Sequence, residues 1–234
     1  MSSAPVFSFA GDRSSYILIG DNVVSRDVCD DIIDRCIRHY DDFFYPGPTL
    51  GGVDIHTKSS MDFDFSAQAV VSKGFDPEPW ATYEEIMSDA LTTVISEYQS
   101  NFFDLWRVPS LYDTGFRLQH YVKNFGYYRE HIDGCVWGPI SSRHRIFGVV
   151  IYLNDVESGG ETNFPVQGQK VQARAGRVAL FPAAWTHPHA GLPAHSGDKW
   201  MISSFIMCDP DNNVPEYDVD SGEMKVPQVP EEES

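Results

Sequence analysis

Apolar residues at Val28, Cys29, Ile32, Ile33, Cys36, Ile37 and Tyr40 recur in alternating steps of one and three, the stripe of an amphipathic helix. Ser25 stands where an N-cap is needed and Asp27 falls in the first turn. A second stripe, Ile86, Met87, Ala90, Leu91, Val94, Ile95, Tyr98 and Phe102, follows Thr82-Tyr-Glu-Glu85, which has the spacing of a capping box. A short strand is predicted at 16–20, ahead of the first helix. Between the helices, 41–75 is broken by Pro46, Pro48, Gly51 and Gly52 and holds only short alternating pieces around Met61 and Phe63. It reads as a long loop leading into strands, and as a candidate for folding over a substrate. His56, within it, is expected to be solvated. Beyond Pro109 the period changes to short runs rich in Val, Ile, Tyr and Phe, punctuated by Gly, Pro, Asn and Asp. These predict strands at 115–122, 145–153, 171–174, 178–181 and 199–207. Helices followed by many short strands argue for an α+β domain with a jelly-roll or related double-sheet core, the helices packed on one sheet.

Length and composition narrow this to one domain. The 234 residues, 42% of them hydrophobic, suit a single sizeable core. The expected division is a flexible N-terminus at 1–14, a domain at 15–208 with its jelly-roll core at about 112–208, and a tail at 209–234. No run of about 18 apolar residues is present, and the first residues have neither the basic start nor the apolar centre of a signal peptide. A soluble, cytoplasmic protein that does not enter membranes is expected. Cys29, Cys36, Cys135 and Cys208 show no Cys-x-x-Cys spacing, which fits a reducing compartment; Cys29 and Cys36 lie on the first helical stripe as core residues.

Charge removes one class of partner. The net charge of -17 repels phosphate backbones, so nucleic-acid binding is not expected. From Asp209 to Ser234 nine Asp or Glu face one Lys, so the tail holds -8 of that charge. Rich in proline and poor in large apolar residues, it is expected to be disordered.

The candidate chemistry begins at Tyr121-Val-Lys-Asn-Phe-Gly-Tyr-Tyr-Arg-Glu-His-Ile-Asp133. Two residues apart on a strand, His131 and Asp133 would leave the same face. An imidazole and a carboxylate are two-thirds of the 2-His-1-carboxylate set that holds non-haem Fe(II) with other positions open. A second histidine is needed, and Trp185-Thr-His-Pro-His-Ala-Gly offers His187 and His189.

The segment His189-Ala-Gly-Leu-Pro-Ala-His-Ser-Gly-Asp-Lys199-Trp resembles the closing part of the prolyl 4-hydroxylase branch of the Fe(II)/2-oxoglutarate dioxygenases, where a lysine follows the distal histidine by ten residues. The resemblance implies His189 as the third ligand and leaves His187 and His195 without that role. Arg145-Ile-Phe-Gly-Val-Val-Ile-Tyr152-Leu-Asn, Gly159-Gly-Glu-Thr-Asn-Phe-Pro165 and Gly176-Arg-Val-Ala-Leu-Phe181 resemble further family segments, in family order. It implies a double-stranded β-helix core. It also implies Fe(II) on His131, Asp133 and His189, with 2-oxoglutarate and O2 as co-substrates and ascorbate as reductant. Lys199 would pair with the far carboxylate of 2-oxoglutarate, joined by the phenols of Tyr121 and Tyr152. Arg145 and Trp137 are implied at the substrate edge.

The activity so implied is oxidative decarboxylation of 2-oxoglutarate to succinate coupled to hydroxylation. The carboxylate of Asp133 argues against halogenation, since halogenating relatives lack it. Proline in a peptide or protein is the expected substrate. A free amino acid or small molecule remains open, as does a non-enzymatic jelly roll holding zinc or nickel on His131, Asp133, His187 and His189. The sequence carries no indication of oligomeric state.

Overall fold

The computed structural model of the chain describes residues 4–102, 111–134 and 145–208, with the backbone of two short strands further on. The chain opens with β1 (Val6–Phe9) and β2 (Leu18–Asp21), an antiparallel pair joined around a 3-10 turn at Arg13–Ser15. The expected flexible stretch at 1–14 is corrected from Val6 onward. Phe7 and Phe9, two apart on a strand, pack on the core, and the ladder with β2 satisfies their backbone.

Helix α1 (Arg26–Arg38) starts where the pattern places it, with the Ser25 hydroxyl accepting from the Val28 amide. Cys29, Ile32 and Cys36 are buried, whereas Ile37 is exposed, so the apolar stripe is narrower than predicted. The region 41–75 is more ordered than a loop. It contains α2 (Tyr40–Phe43), β3 (Tyr45–Pro46), β4 (Lys58–Ser59), β5 (Met61–Phe65) and α3 (Ala67–Ser72). The cause is an aromatic cluster. Phe43 stacks on Phe63 at 4.8 Å between centroids, and the Trp80 indole meets both, at 5.4 and 5.3 Å. That same indole begins α4 (Trp80–Asn101) two residues before Thr82, so the predicted capping box lies inside the first turn and caps nothing.

The strands that follow are β6 (Leu111–Asp113), β7 (Phe116–Tyr121), β8 (Tyr127–His131), β9 (Arg145–Tyr152), β10 (Thr162–Phe164), β11 (Gln169–Val171), β12 (Val178–Pro182), β13 (His189–Gly191) and β14 (Lys199–Cys208). A nine-stranded sheet runs β1-β2-β12-β9-β14-β7-β5-β3, with β6 also on β14; a five-stranded sheet runs β11-β10-β13-β8-β4. Both thus extend beyond the expected 112–208 core, recruiting β1, β2, β3 and β5 to one sheet and β4 to the other. The strand expected at 171–174 ends at Val171. Beyond it the chain turns at Gly176, whose φ of 76° places the position of a Cβ 2.0 Å from the Val24 carbonyl oxygen.

Strand β9 explains the two cores. Val149 and Ile151 face the helices with Leu118, Leu91, Met87 and Ile202, whereas Val150 and Tyr152 face the space between the sheets with Tyr121, Phe181 and Met201. A sheet covered on both faces has no solvent side, so these strands read as continuous apolar runs. Among the described residues no helix is long and apolar enough to cross a membrane. In the acidic tail β15 (Glu216–Asp218) pairs with β16 (Glu223–Lys225); the remainder of 209–234 lies outside the described residues.

Candidate active site

His131 ends β8 and His189 begins β13, and the register of these antiparallel strands sets them directly opposite one another. Their rings lie 4.4 Å apart between centroids. Asp133 is two residues past the end of β8, in the turn rather than on the strand. It is held there by the Gly134 amide, which donates to Ala183 O at 2.7 Å, and by Arg145 Nη1, which donates to Asp133 O at 3.1 Å. The result puts His131 Nε2 3.4 Å and His189 Nε2 3.5 Å from the two oxygens of one carboxylate.

Each imidazole is oriented the same way. His131 Nδ1 lies 2.8 Å from Arg129 O and His189 Nδ1 3.1 Å from His187 O. A carbonyl only accepts, so each Nδ1 carries a proton and each Nε2 is left facing the centre. Burial holds His189 below the usual imidazole range, against the pull of Asp133. Burial would raise the Asp133 carboxyl, but His189, His131 and Arg145 together bring it below its ordinary value. Two imidazoles that turn Nε2 to the centre and a carboxylate below its ordinary value, their ligand atoms within 4.8 Å of one another, form the donor set of a divalent transition metal with open positions.

The space beside the triad fits a co-substrate. An inner chamber of about 70 Å³ is lined by His189, Tyr121, Thr162, Val150, Phe181 and Lys199. An outer cleft of about 490 Å³ shares His131 and Asp133 with it and carries Arg145, Lys58, Arg117 and Leu50. Lys199 is fully buried, donates to Gly160 O at 3.2 Å, and has its ammonium 4.5 Å above the Tyr121 ring. Burial pushes it down to about 8, against an opposing pull from Glu161. Among the described residues no carboxylate forms an ion pair with this buried ammonium, which leaves room for an anion in the chamber.

The other predicted residues divide. The Tyr121 hydroxyl donates to Gln119 Oε1 at 2.9 Å, and its ring lines the inner chamber. Tyr152 is fully buried but stands behind Thr162, its oxygen 2.7 Å from Thr162 Oγ1, and it is Thr162 that faces the chamber. Arg145 lies 3.7 Å over the Phe205 ring, faces the outer cleft, and has a buried Nε without a hydrogen-bond partner among the described residues. Trp137 lies outside the described residues. His187 bonds Ser15 O through Nε2 at 2.9 Å and Thr186 Oγ1 through Nδ1 at 2.9 Å, which turns its ring away from the triad. His195 pairs with Asn124 on the surface, and His56 is exposed.

Sequence reasoning missed Thr162, Gln119, Tyr128 and Lys58. Thr162 belongs to the Gly159–Thr162 segment that carries the resemblance, and Tyr128 is three residues before His131, on whose ring it stacks at 3.6 Å. Lys58 had no signal. It forms a buried ion pair with Asp62, Nζ to Oδ2 2.6 Å, bridging the two sheets beside the outer cleft that Pro48, Thr49 and Leu50 also line.

Gly148 is also part of the site. A Cβ there would stand 2.5 Å from Asp133 Oδ2 and 2.7 Å from the Phe181 ring. Gly148→Ala is expected to displace the carboxylate and weaken metal binding by about 10- to 100-fold, the range seen when a ligand's support is disturbed. Calorimetric titration with Mn(II) measures it; wild-type affinity would show that Asp133 has room to move.

Residues 116–207 match the model of the 2OG-Fe(II) oxygenase superfamily. The matched segment bears the triad and Lys199, and is similar to the 2OG-Fe(II) oxygenase class of domains. Within that class the similarity is to prolyl hydroxylases. A protein of Acanthamoeba polyphaga mimivirus named "Putative prolyl 4-hydroxylase" is 38% identical over a match covering 33% of this chain and 38% of its own length. The chain spans well under two-thirds of the curated relatives it matches. The viral collagen prolyl hydroxylase of Paramecium bursaria Chlorella virus-1, solved with 2OG, superimposes with a TM-score of 0.59 at 20% identity, covering 84% of this chain and 98% of that one. A Trichoplax adhaerens prolyl hydroxylase, solved with a hypoxia-inducible-factor peptide, gives 0.65 at 16%, covering 84% and 85%. These structures share the double-stranded β-helix fold with the chain.

Proposed function

We propose that the chain is an Fe(II)- and 2-oxoglutarate-dependent hydroxylase acting on proline within a peptide or protein. The observation that carries this is the juxtaposition of the His131, Asp133 and His189 ligand atoms with the buried Lys199 ammonium, which has no ion-paired carboxylate among the described residues, across one chamber. A zinc or nickel store has no use for that lysine.

His131, Asp133 and His189 would hold Fe(II), and Lys199 would receive the far carboxylate of 2-oxoglutarate, with the Thr162 hydroxyl and Tyr121 phenol at the same end. Fe(II) with 2-oxoglutarate and O2 supplies the oxidising chemistry, in which the 2-oxo acid loses CO2 to give succinate and one oxygen atom enters a substrate C–H bond. Val150, Phe181 and Met201 line the inner chamber with apolar surface that excludes water. Arg145, braced on Phe205 and lining the outer cleft, would donate to a substrate carbonyl there. The prolyl reading follows the curated and structural relatives, two of them solved with 2OG or with a peptide. The buried free thiols Cys29 and Cys36 are compatible with a reducing compartment.

The test is incubation with Fe(II), ascorbate, 2-oxoglutarate and a panel of proline-containing peptides. The expected result is succinate release matched by a mass gain of one oxygen on proline. Coupled turnover only with free amino acids or other small molecules would move the substrate class while keeping the chemistry. Absence of any 2-oxoglutarate consumption would sink the enzyme reading.

A further inference from the structure

Lys199 opens β14, and the β9–β14 ladder begins two residues later, at Met201 opposite Tyr152. The peptide groups on either side of the lysine therefore lie beyond the end of that ladder. On the β9 side a single side chain takes them up, while on the other side Lys199 is register partner to Tyr121 of β7. Asn154, two residues past Tyr152, donates from Nδ2 to Asp198 O at 2.9 Å and accepts the Trp200 amide on Oδ1 at 2.8 Å. One carboxamide thus spans the backbone of Lys199, contacting both flanking peptide units.

A second clamp holds the same three residues through the Asp198 carboxylate. Its Oδ1 accepts the Lys123 amide at 2.7 Å, and its Oδ2 lies 2.9 Å from His120 Nε2. His120 Nδ1 is 2.6 Å from the Tyr40 hydroxyl of α2, and the imidazole stacks on Trp200 at 4.0 Å. Tyr40 donates to Nδ1 and Nε2–H donates to the carboxylate, a chain in which every group has a partner. It lies on the helix side of the sheet, since His120 and Trp200 are register partners there just as Tyr121 and Lys199 are on the chamber side. A lysine stem has four rotatable bonds, so a point charge at its end is placed accurately only if its Cα is fixed and its stem enclosed.

We propose that Asn154, supported by the Asp198–His120–Tyr40 chain, is a positioning residue for Lys199 and sets the affinity for the 2-oxo diacid without touching it. This rests on the functional reading above, in which Lys199 receives the co-substrate's far carboxylate. A bland alternative is that Asn154 only ends a strand tidily, in which case its loss lowers stability and leaves binding alone.

The two are separated by calorimetric titration of 2-oxoglutarate into Mn(II)-loaded protein without turnover. Asn154→Ala is expected to lower affinity by about ten-fold or more, as expected for two lost hydrogen bonds, with Mn(II) affinity unchanged. Asn154→Asp, which can accept from Trp200 but not donate to Asp198, should fall between. His120→Phe, which keeps the stack on Trp200 and loses both ring nitrogens, should weaken binding in the same direction. In turnover, the KM for 2-oxoglutarate should rise while kcat at saturation is retained. A second readout needs neither metal nor co-substrate: carbon-13 at lysine Cε should show the Lys199 midpoint, held near 8, climbing toward an ordinary lysine in Asn154→Ala as the ammonium reaches water.

Wild-type 2-oxoglutarate affinity in Asn154→Ala together with an unmoved Lys199 midpoint overturns the proposal, whatever happens to stability. If Asn154→Ala does not fold, Asn154→Asp and His120→Phe decide by the same criteria. Wild-type protein that binds Mn(II) but no 2-oxoglutarate overturns the functional reading instead, and the Lys199 midpoint then decides alone whether Asn154 positions the lysine.

Discussion

Alanine at His189 is expected to bring Fe(II)-dependent 2-oxoglutarate consumption down to the assay background, and to cut Mn(II) affinity with it, because only two donors of the set remain. The informative comparison is His187→Ala. Both histidines are buried, both lie in Trp185-Thr-His-Pro-His, and either could be the ligand by composition alone. They differ in where Nε2 points: that of His189 faces Asp133, whereas that of His187 bonds the Ser15 carbonyl. The bond that orients His189 comes from the backbone oxygen of His187, which survives the substitution. His187→Ala should therefore keep metal binding and turnover while losing about 1–3 kcal/mol of stability for the unmade bond to Ser15. Chemical denaturation and metal titration on the two variants measure both effects. If His187→Ala is the variant that loses metal, the assignment of the distal ligand is wrong.

Lys199→Ala is expected to keep metal affinity and lose about 2 to 3 decades of affinity for 2-oxoglutarate, the scale of removing one partner from a buried ion pair. The lysine also couples binding to pH, with two effects of opposite sign. Its folded value of about 8 lies below the ordinary lysine value of 10.5. Between the two the unfolded chain holds a proton that the folded chain has released, so the ligand-free protein gains stability as pH rises from 8 to 10.5. Over the same interval the ammonium that a carboxylate would pair with disappears, so affinity for 2-oxoglutarate falls. Lys199→Met should remove the lysine's share of both dependences, and denaturation midpoints and calorimetry across that range would reveal it. A wild-type affinity that is flat through pH 8 to 10 would mean that the diacid does not rest on Lys199.

The helices and most core strands could be read from the chain because their causes are local. The α1 stripe at Cys29, Ile32 and Cys36 needs only the period of a helix, and 145–153 declares itself as a strand through its unbroken apolar run. What escaped depends on contacts distant in sequence. The strands and helices within 41–75 exist because Phe43, Phe63 and Trp80 meet, and no window of a dozen residues contains all three. The same holds in the site. His131 and Asp133 stand out as a pair by spacing, whereas His189 and Lys199 are legible only through the resemblance to family segments, whose fixed separations strand register turns into fixed distances. The exchange between Tyr152 and Thr162 is legible by neither route, since which of two bonded hydroxyls reaches a chamber depends on which sheet each belongs to. Lys58 and Asp62, four apart on a sequence that reads as loop, become a buried pair only once β4 and β5 have joined different sheets.

Strand β9 sends Val149 and Ile151 to one side and Val150 and Tyr152 to the other, and this bears on how the protein can change over generations. Neighbouring codons answer to different demands. A substitution at Ile151 is felt by the packing beneath the helices, and one at Val150 by the wall of the chamber. Durability and the fit of the co-substrate can therefore drift along the same few residues with little interference, one position at a time.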